Sequence, residues 1–224
     1  MKSPILMGAC CIVEVFAALF VLLFFIGIIG GPGSSQDNAN GDPSGSGYTD
    51  SGDLSNVTEV PASLKPIFVA AAKKHKISPA FLAAIFWKEH GRRFPTKGPW
   101  ASSPAGANGP FQFIEKTWEG WSCNKTNNSN GVFESDPSKI CGYGQDGNGD
   151  GKADVQNLTD AAFAAAELLG KNGAAPNVTD LDKLRNVASR YNSGKPWSKG
   201  KNIPETANYV PDVIKEYQKI VGEM

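Results

Sequence analysis

Hydrophobic and polar positions divide the chain into three stretches of different character. From Ile12 to Gly30 every residue but Glu14 is apolar or glycine. As a helix this run would be ~29 Å long, enough to span a bilayer. It is longer than the apolar core of a usual signal peptide, and no A-x-A site follows it. Residues 1–30 therefore read as a retained membrane anchor, with a cleaved signal as the alternative. Lys2 lies on one side, and acids without a base lie on the other, which predicts N-terminus in and C-terminus out. Glu14 is expected at the interface. Residues 31–59 then lose all periodicity. Gly, Ser, Asp and Asn dominate (GGPGSSQDNANGDPSGSG), and such a segment predicts a flexible tether reaching about 30 Å.

Helical spacing begins near Val60 and continues to the end of the chain. Residues 61–76 place Leu64, Ile67, Phe68 and Ala71 on one face. Ser78 is a helix cap and Pro79 suits the first helical position, after which Phe81, Leu82, Ile85 and Phe86 form an apolar stripe that Gly91 stops. Phe113 to Trp121 predicts a short helix, whose Trp118 and Trp121 belong either to the core or to a sugar-binding cleft. Thr159 is a cap for an Ala-rich helix over 160–171, and residues 181–191 and 206–222 complete the set, the last with Tyr209, Val213 and Tyr217 at helical spacing. Neither internal repeats nor β-strands are legible. The expectation is a mainly α domain over residues 60–224.

Charge and cysteines narrow the function. Formal net charge is zero, but residues 1–60 hold one base and six acids, which leaves about +5 on the rest. That mild excess suits an anionic polymer such as cell wall and is too small and scattered for nucleic acid. Cys123 and Cys141 flank a polar Asn- and Ser-rich insertion. They would form a disulfide if that loop is extracytoplasmic, with two free thiols as the alternative. No zinc-type spacing involves them or His75 and His90.

Two stretches carry chemistry. Glu89 falls on the last turn of the helix begun at Ser78, behind Phe86 and Trp87. Partial desolvation there would raise its pKa towards that of a working general acid; an ordinary solvated carboxylate is the alternative. Glu115 and Glu119 read as surface residues. In Asp146 to Asp154 (DGNGDGKAD), Asp146, Asn148, Asp150, the Lys152 carbonyl and Asp154 occupy alternate positions of a calcium-type loop, with Gly151 at the turn. Its twelfth position is Asn157 rather than Glu, and Asp160 is the candidate for the missing carboxylate. A Gly/Asp-rich turn without metal is the alternative.

A helix ending Glu-x-Gly, followed by S-P-A-G-A-x-G-x-x-Q through Ser103, Pro104, Ala105, Gly106, Ala107, Gly109 and Gln112, resembles the core of the lytic murein transglycosylases of the lysozyme-like superfamily. The Y-N-x-G of Tyr191, Asn192 and Gly194 matches as well, and the resemblance spans roughly residues 60–220. The family usually has Ser after the catalytic Glu, where this chain has His90. Some members carry a similar Asp-rich loop before an N-x-x-D-A helix, as here with Asn157 and Asp160.

The resemblance implies a lysozyme-like domain that cleaves the β-1,4 bond between N-acetylmuramic acid and N-acetylglucosamine in peptidoglycan, leaving 1,6-anhydro-muramoyl ends. Glu89 would be acid and then base. Ser103, Gln112, Tyr191 and Asn192 would border the sugars, with Trp100 as a stacking candidate. No cofactor is needed for that chemistry, and calcium would brace the fold. The setting implied is a bacterial cell membrane with the domain on the wall side, serving wall growth or a secretion or conjugation machine. A hydrolytic muramidase and a non-catalytic peptidoglycan-binding or assembly module are the competing readings.

Overall fold

The structure is a computed structural model that describes residues 54–123, 132–178 and 180–222. The anchor expected over 1–30 and most of the tether lie outside the described residues. Among the described residues, no helix is long and apolar enough to cross a membrane.

The described chain is mainly helical, as its periodicity predicts. Seven α-helices follow in order: α1 (Lys65–His75), α2 (Pro79–Glu89), α3 (Glu115–Glu119), α4 (Leu158–Lys171), α5 (Leu181–Ser193), α6 (Trp197–Gly200) and α7 (Pro204–Ile220), with a 3-10 turn at Pro137–Lys139. No strand occurs among the described residues; one isolated antiparallel bridge joins Asn108 to Phe113.

Helix α2 is the centre of the packing. Its cap is the expected one, Ser78 Oγ accepting the Phe81 amide at 3.2 Å. All eight residues from Pro79 to Phe86 are buried, not only the stripe of four. A helix that is apolar on every side has to be surrounded, and α1, α4 and α7 pack against α2 to do so. Helix α5 closes against α7 and carries α6. The rings of Phe68, Phe86 and Phe111 meet at 5.3 to 6.3 Å between centroids, tying α1, α2 and the loop before α3 into one core.

Three details differ from the sequence reading, and a fourth decides between alternatives it left open. Leu54 is 1% exposed and belongs to the core, so packed structure starts inside the stretch assigned to the tether. Helix α4 is capped by Asn157, whose Oδ1 accepts the amides of Thr159 and Asp160. Thr159 therefore lies within the first turn. Glu119 is buried at 8% exposure rather than on the surface, because its Oε1 accepts the Glu134 amide at 2.7 Å. Trp118 is core and donates from Nε1 to the Glu134 carbonyl, whereas Trp121 is 60% exposed beneath the Lys116 ammonium.

The segment after residue 131 wraps α3 so closely that only glycine fits at three places. A Cβ on Gly120 would sit 2.7 Å from Cys141 Sγ, and one on Gly142 or Gly144 would strike Gly120 or the Trp118 ring. Cys123 and Cys141 are disulfide-bonded across this wrap, with Cα atoms 5.9 Å apart.

Candidate active site

Glu89 stands at the C-terminal end of α2, where the buried helix meets the surface. Helix α7 brings Tyr209 across it, and the Tyr209 hydroxyl donates to Glu89 Oε1 at 2.6 Å. Helix α5 brings Tyr191, whose hydroxyl donates to the Phe111 carbonyl at 2.7 Å. Glu89 keeps some solvent-accessible surface, yet protein crowds its carboxyl. Desolvation raises its pKa to about 7, against the smaller opposing pull of the Tyr209 hydroxyl and the Lys88 ammonium. Burial first, and then the nearby Glu89 charge, push the hydroxyls of Tyr191 and Tyr209 well above the usual tyrosine range. Both remain protonated donors at neutral pH.

Lys88 is kept off the carboxylate. Its ammonium pairs with Asp212 of α7 at 2.6 Å, and Arg92 joins the same carboxylate at 2.8 Å. Glu89 thus titrates as an acid near a distant cation rather than as half of an ion pair.

The loop between α2 and α3 forms the adjoining wall. Ser103 Oγ accepts the Ala107 amide, and the Ser103 and Ala107 backbones are also hydrogen-bonded. Gly106 and Gly109 adopt left-handed backbone conformations in this turn. Gln112, itself at φ +50°, folds its amide back onto the carbonyls of Ala101 and Gly109 at 2.8 and 2.9 Å. Trp100 packs its ring 5.0 Å from His90 and 6.0 Å from Phe86. His90 also contacts Phe86 at 4.5 Å and donates from Nε2 to the Pro110 carbonyl at 2.9 Å. Burial lowers the His90 pKa, leaving the ring neutral near pH 7.

Of the sequence candidates, the fold gathers Glu89 and Tyr191 directly. Ser103 and Gln112 bond within the loop, and Trp100 packs on His90. Asn192 is turned to the start of α7, its Oδ1 accepting the Thr206 hydroxyl at 2.7 Å. In the sequence, Tyr209 carries only a packing signal on α7. Its spacing with Val213 and Tyr217 carries no sign that its hydroxyl reaches Glu89.

The Asp-rich loop supports the same wall from behind. Gln156 accepts the Trp100 amide and donates to Asn108, and a Cβ on Gly109 would lie 2.0 Å from the Val155 carbonyl oxygen. The loop's side chains are turned onto its own backbone. Asp146 accepts the amides of Gly149, Asp150 and Gly151, Asn148 that of Asp150, Asp150 that of Lys152, and Asp154 that of Gln156. Asp160 is fully buried and receives the amides of Gly147, Asn148 and Asp154. By accepting these three amides its carboxyl holds the loop shut. Among the described residues, no group of three or more acidic, His or Cys side chains converges on a common point. The loop's donor chemistry, hard oxygens at alternate positions, nevertheless suits calcium.

A cavity of about 430 Å³ opens elsewhere, lined by Lys74, His75, Lys76, Glu167 and Lys171 beside the ends of α1 and α4. None of the residues around Glu89 lines it, so this cavity does not mark the site. Comparison with known proteins gave no matching family model, no matching curated protein and no matching solved structure.

Proposed function

We propose that this chain is a lysozyme-like peptidoglycan lytic transglycosylase, with Glu89 as its single acid and base. The observation that carries the reading is the half-buried Glu89 carboxyl, with a pKa of about 7, bonded to Tyr209 beside the 103–112 loop. A carboxyl with that pKa is substantially protonated at neutral pH and also readily re-protonated, as a group that both donates and accepts must be. Protonated Glu89 gives its proton to the glycosidic oxygen as the bond to muramoyl C1 breaks. The carboxylate left behind keeps the Tyr209 hydrogen bond and accepts the proton of the muramoyl C6 hydroxyl as that oxygen closes on C1. No water is consumed, and the product carries a 1,6-anhydro end.

A hydrolytic muramidase is the runner-up. Hydrolysis by the usual route needs a second carboxylate about 5 to 9.5 Å away.

Residues 1–30 would hold the enzyme at a bacterial membrane, with the domain on the wall side and residues 31–53 as its tether. Glycan strands are the substrate, and local wall opening for a secretion or conjugation machine is one use of such an arrangement. Calcium, if bound by Asp146, Asn148, Asp150, the Lys152 carbonyl and Asp154, would brace the loop behind Gly109 and take no part in the chemistry.

The test is mass spectrometry of the soluble products released from purified peptidoglycan by the full chain and by its Glu89→Gln variant. Anhydro-muramoyl products from the former alone are expected. Reducing-end products would replace the reading with a hydrolase. No products from any peptidoglycan tested would leave a binding module.

A further inference from the structure

The residue after the acid departs from the pattern the chain otherwise resembles, and its surroundings give that departure a role. We infer that His90 is a positioning residue: it ties the 109–112 segment to the end of α2 and so fixes the wall against which Glu89 works. This rests on the proposed reading of Glu89 as the reacting carboxyl.

The backbone of residues 109–112 is held at each of its four positions. Gly109 is pressed against the Val155 carbonyl on one side, with no room for a Cβ. Pro110 offers its carbonyl to His90 Nε2 at 2.9 Å. Phe111 offers the next carbonyl to Tyr191 at 2.7 Å, and Tyr191 lies within the field of Glu89. Gln112 closes the turn on Gly109. The segment is thus held from three directions, and His90 is the tie that comes from the helix of Glu89 itself. Its ring is wedged between Phe86 and Trp100, which leaves Nε2 little freedom to point elsewhere. A serine at this position would be too short to reach Pro110 from the same backbone.

Releasing Pro110 would let Phe111 drift and with it the hydroxyl of Tyr191. Water would then reach the Glu89 carboxyl, and the desolvation that dominates its titration would fall. The charged and titratable groups around that carboxyl are Lys88 on α2, Tyr191 on α5 and Tyr209 on α7. None of them is itself replaced by substitution at His90.

Two substitutions separate donation from ring packing. His90→Gln keeps an N–H at about the Nε2 position without the ring, and His90→Phe keeps the ring without the N–H. On the full chain in detergent, His90→Phe should lower kcat about tenfold to a hundredfold with KM little changed, as expected for misplacement by about 1 Å. It should also move the Glu89 titration, read by ¹³C NMR of the labelled carboxyl, down by about one unit. His90→Gln should restore both. The inference is overturned if His90→Phe turns over and titrates like the parent, or if His90→Gln is equally impaired while both variants melt alike. The titration needs no substrate. An inactive parent chain would therefore defeat the transglycosylase reading while the NMR still decides the role of His90.

Discussion

Tyr209 and Glu89 stand 120 residues apart in the chain and are joined by a 2.6 Å hydrogen bond from the tyrosine hydroxyl to Oε1. The bond favours the carboxylate, and burial favours the acid. Burial wins, so the pKa settles near 7 rather than in the ordinary range. That balance sets the pH behaviour expected of the protein.

Glu89→Gln should abolish glycan cleavage and yet stabilise the fold at alkaline pH. The folded pKa of about 7 exceeds the ordinary 4.5. The associated stability is therefore fully present below about pH 4.5 and is lost as pH rises through 7. The difference corresponds to roughly 3 kcal/mol. Urea unfolding at pH 4 and pH 8 should find parent and variant alike at the lower pH, and the variant more stable at the higher. A gap of equal size at both would contradict this account.

Tyr209→Phe removes the one hydrogen bond that pulls the Glu89 pKa down. The alkaline limb of the pH–rate profile should move up by roughly one to two units, the worth of a hydrogen bond to a charged group. The maximal rate should fall, because the carboxylate that must form during turnover loses its donor. A limb that moves down would mean that water had entered the site.

Gly109 and Gly106 share a left-handed backbone, with φ of +76° and +80°, but not the same surroundings. Gly106→Ala meets nothing within 4 Å and should cost only about 1 to 2 kcal/mol of backbone strain. Gly109→Ala would drive its Cβ into the Val155 carbonyl, so its cost should be clearly larger, about 3 kcal/mol or more. Thermal unfolding of the two variants side by side tests this. Equal losses would show that the contact between the 103–112 loop and Val155 is slack.

Calcium should act on stability alone. With a Kd near that of extracellular calcium modules, millimolar calcium should raise the melting temperature by a few degrees, about 1 kcal/mol. Asp154→Ala should cancel the rise. An unchanged melting temperature in calcium and in chelator would leave the loop braced by its own hydrogen bonds, the three amides on Asp160 among them.

Much was legible before any coordinate. The cap at Ser78, the extent of α2 to Glu89 and the stop near Gly91 follow from local rules, because caps, prolines and apolar spacing act within a few residues. The mainly helical architecture followed for the same reason, whereas the pairing of Cys123 with Cys141, left open against two free thiols, was decided by the fold. What local pattern could not supply is which surface each side chain meets. Glu119 and Glu115 look alike in sequence, and only the return of the chain at Glu134 buries one of them. Tyr209 shares its spacing with Val213 and Tyr217, and its hydroxyl gains meaning only because α7 crosses the end of α2. A pKa near 7 is likewise a property of assembled helices, since desolvation depends on atoms brought from distant parts of the chain. The sequence alone determined where the helices other than α6 lie and singled out Glu89 among the carboxylates. Tertiary packing decided that this carboxylate is shielded, which hydroxyl faces it and that His90 reaches Pro110, because those contacts join residues that no local rule connects.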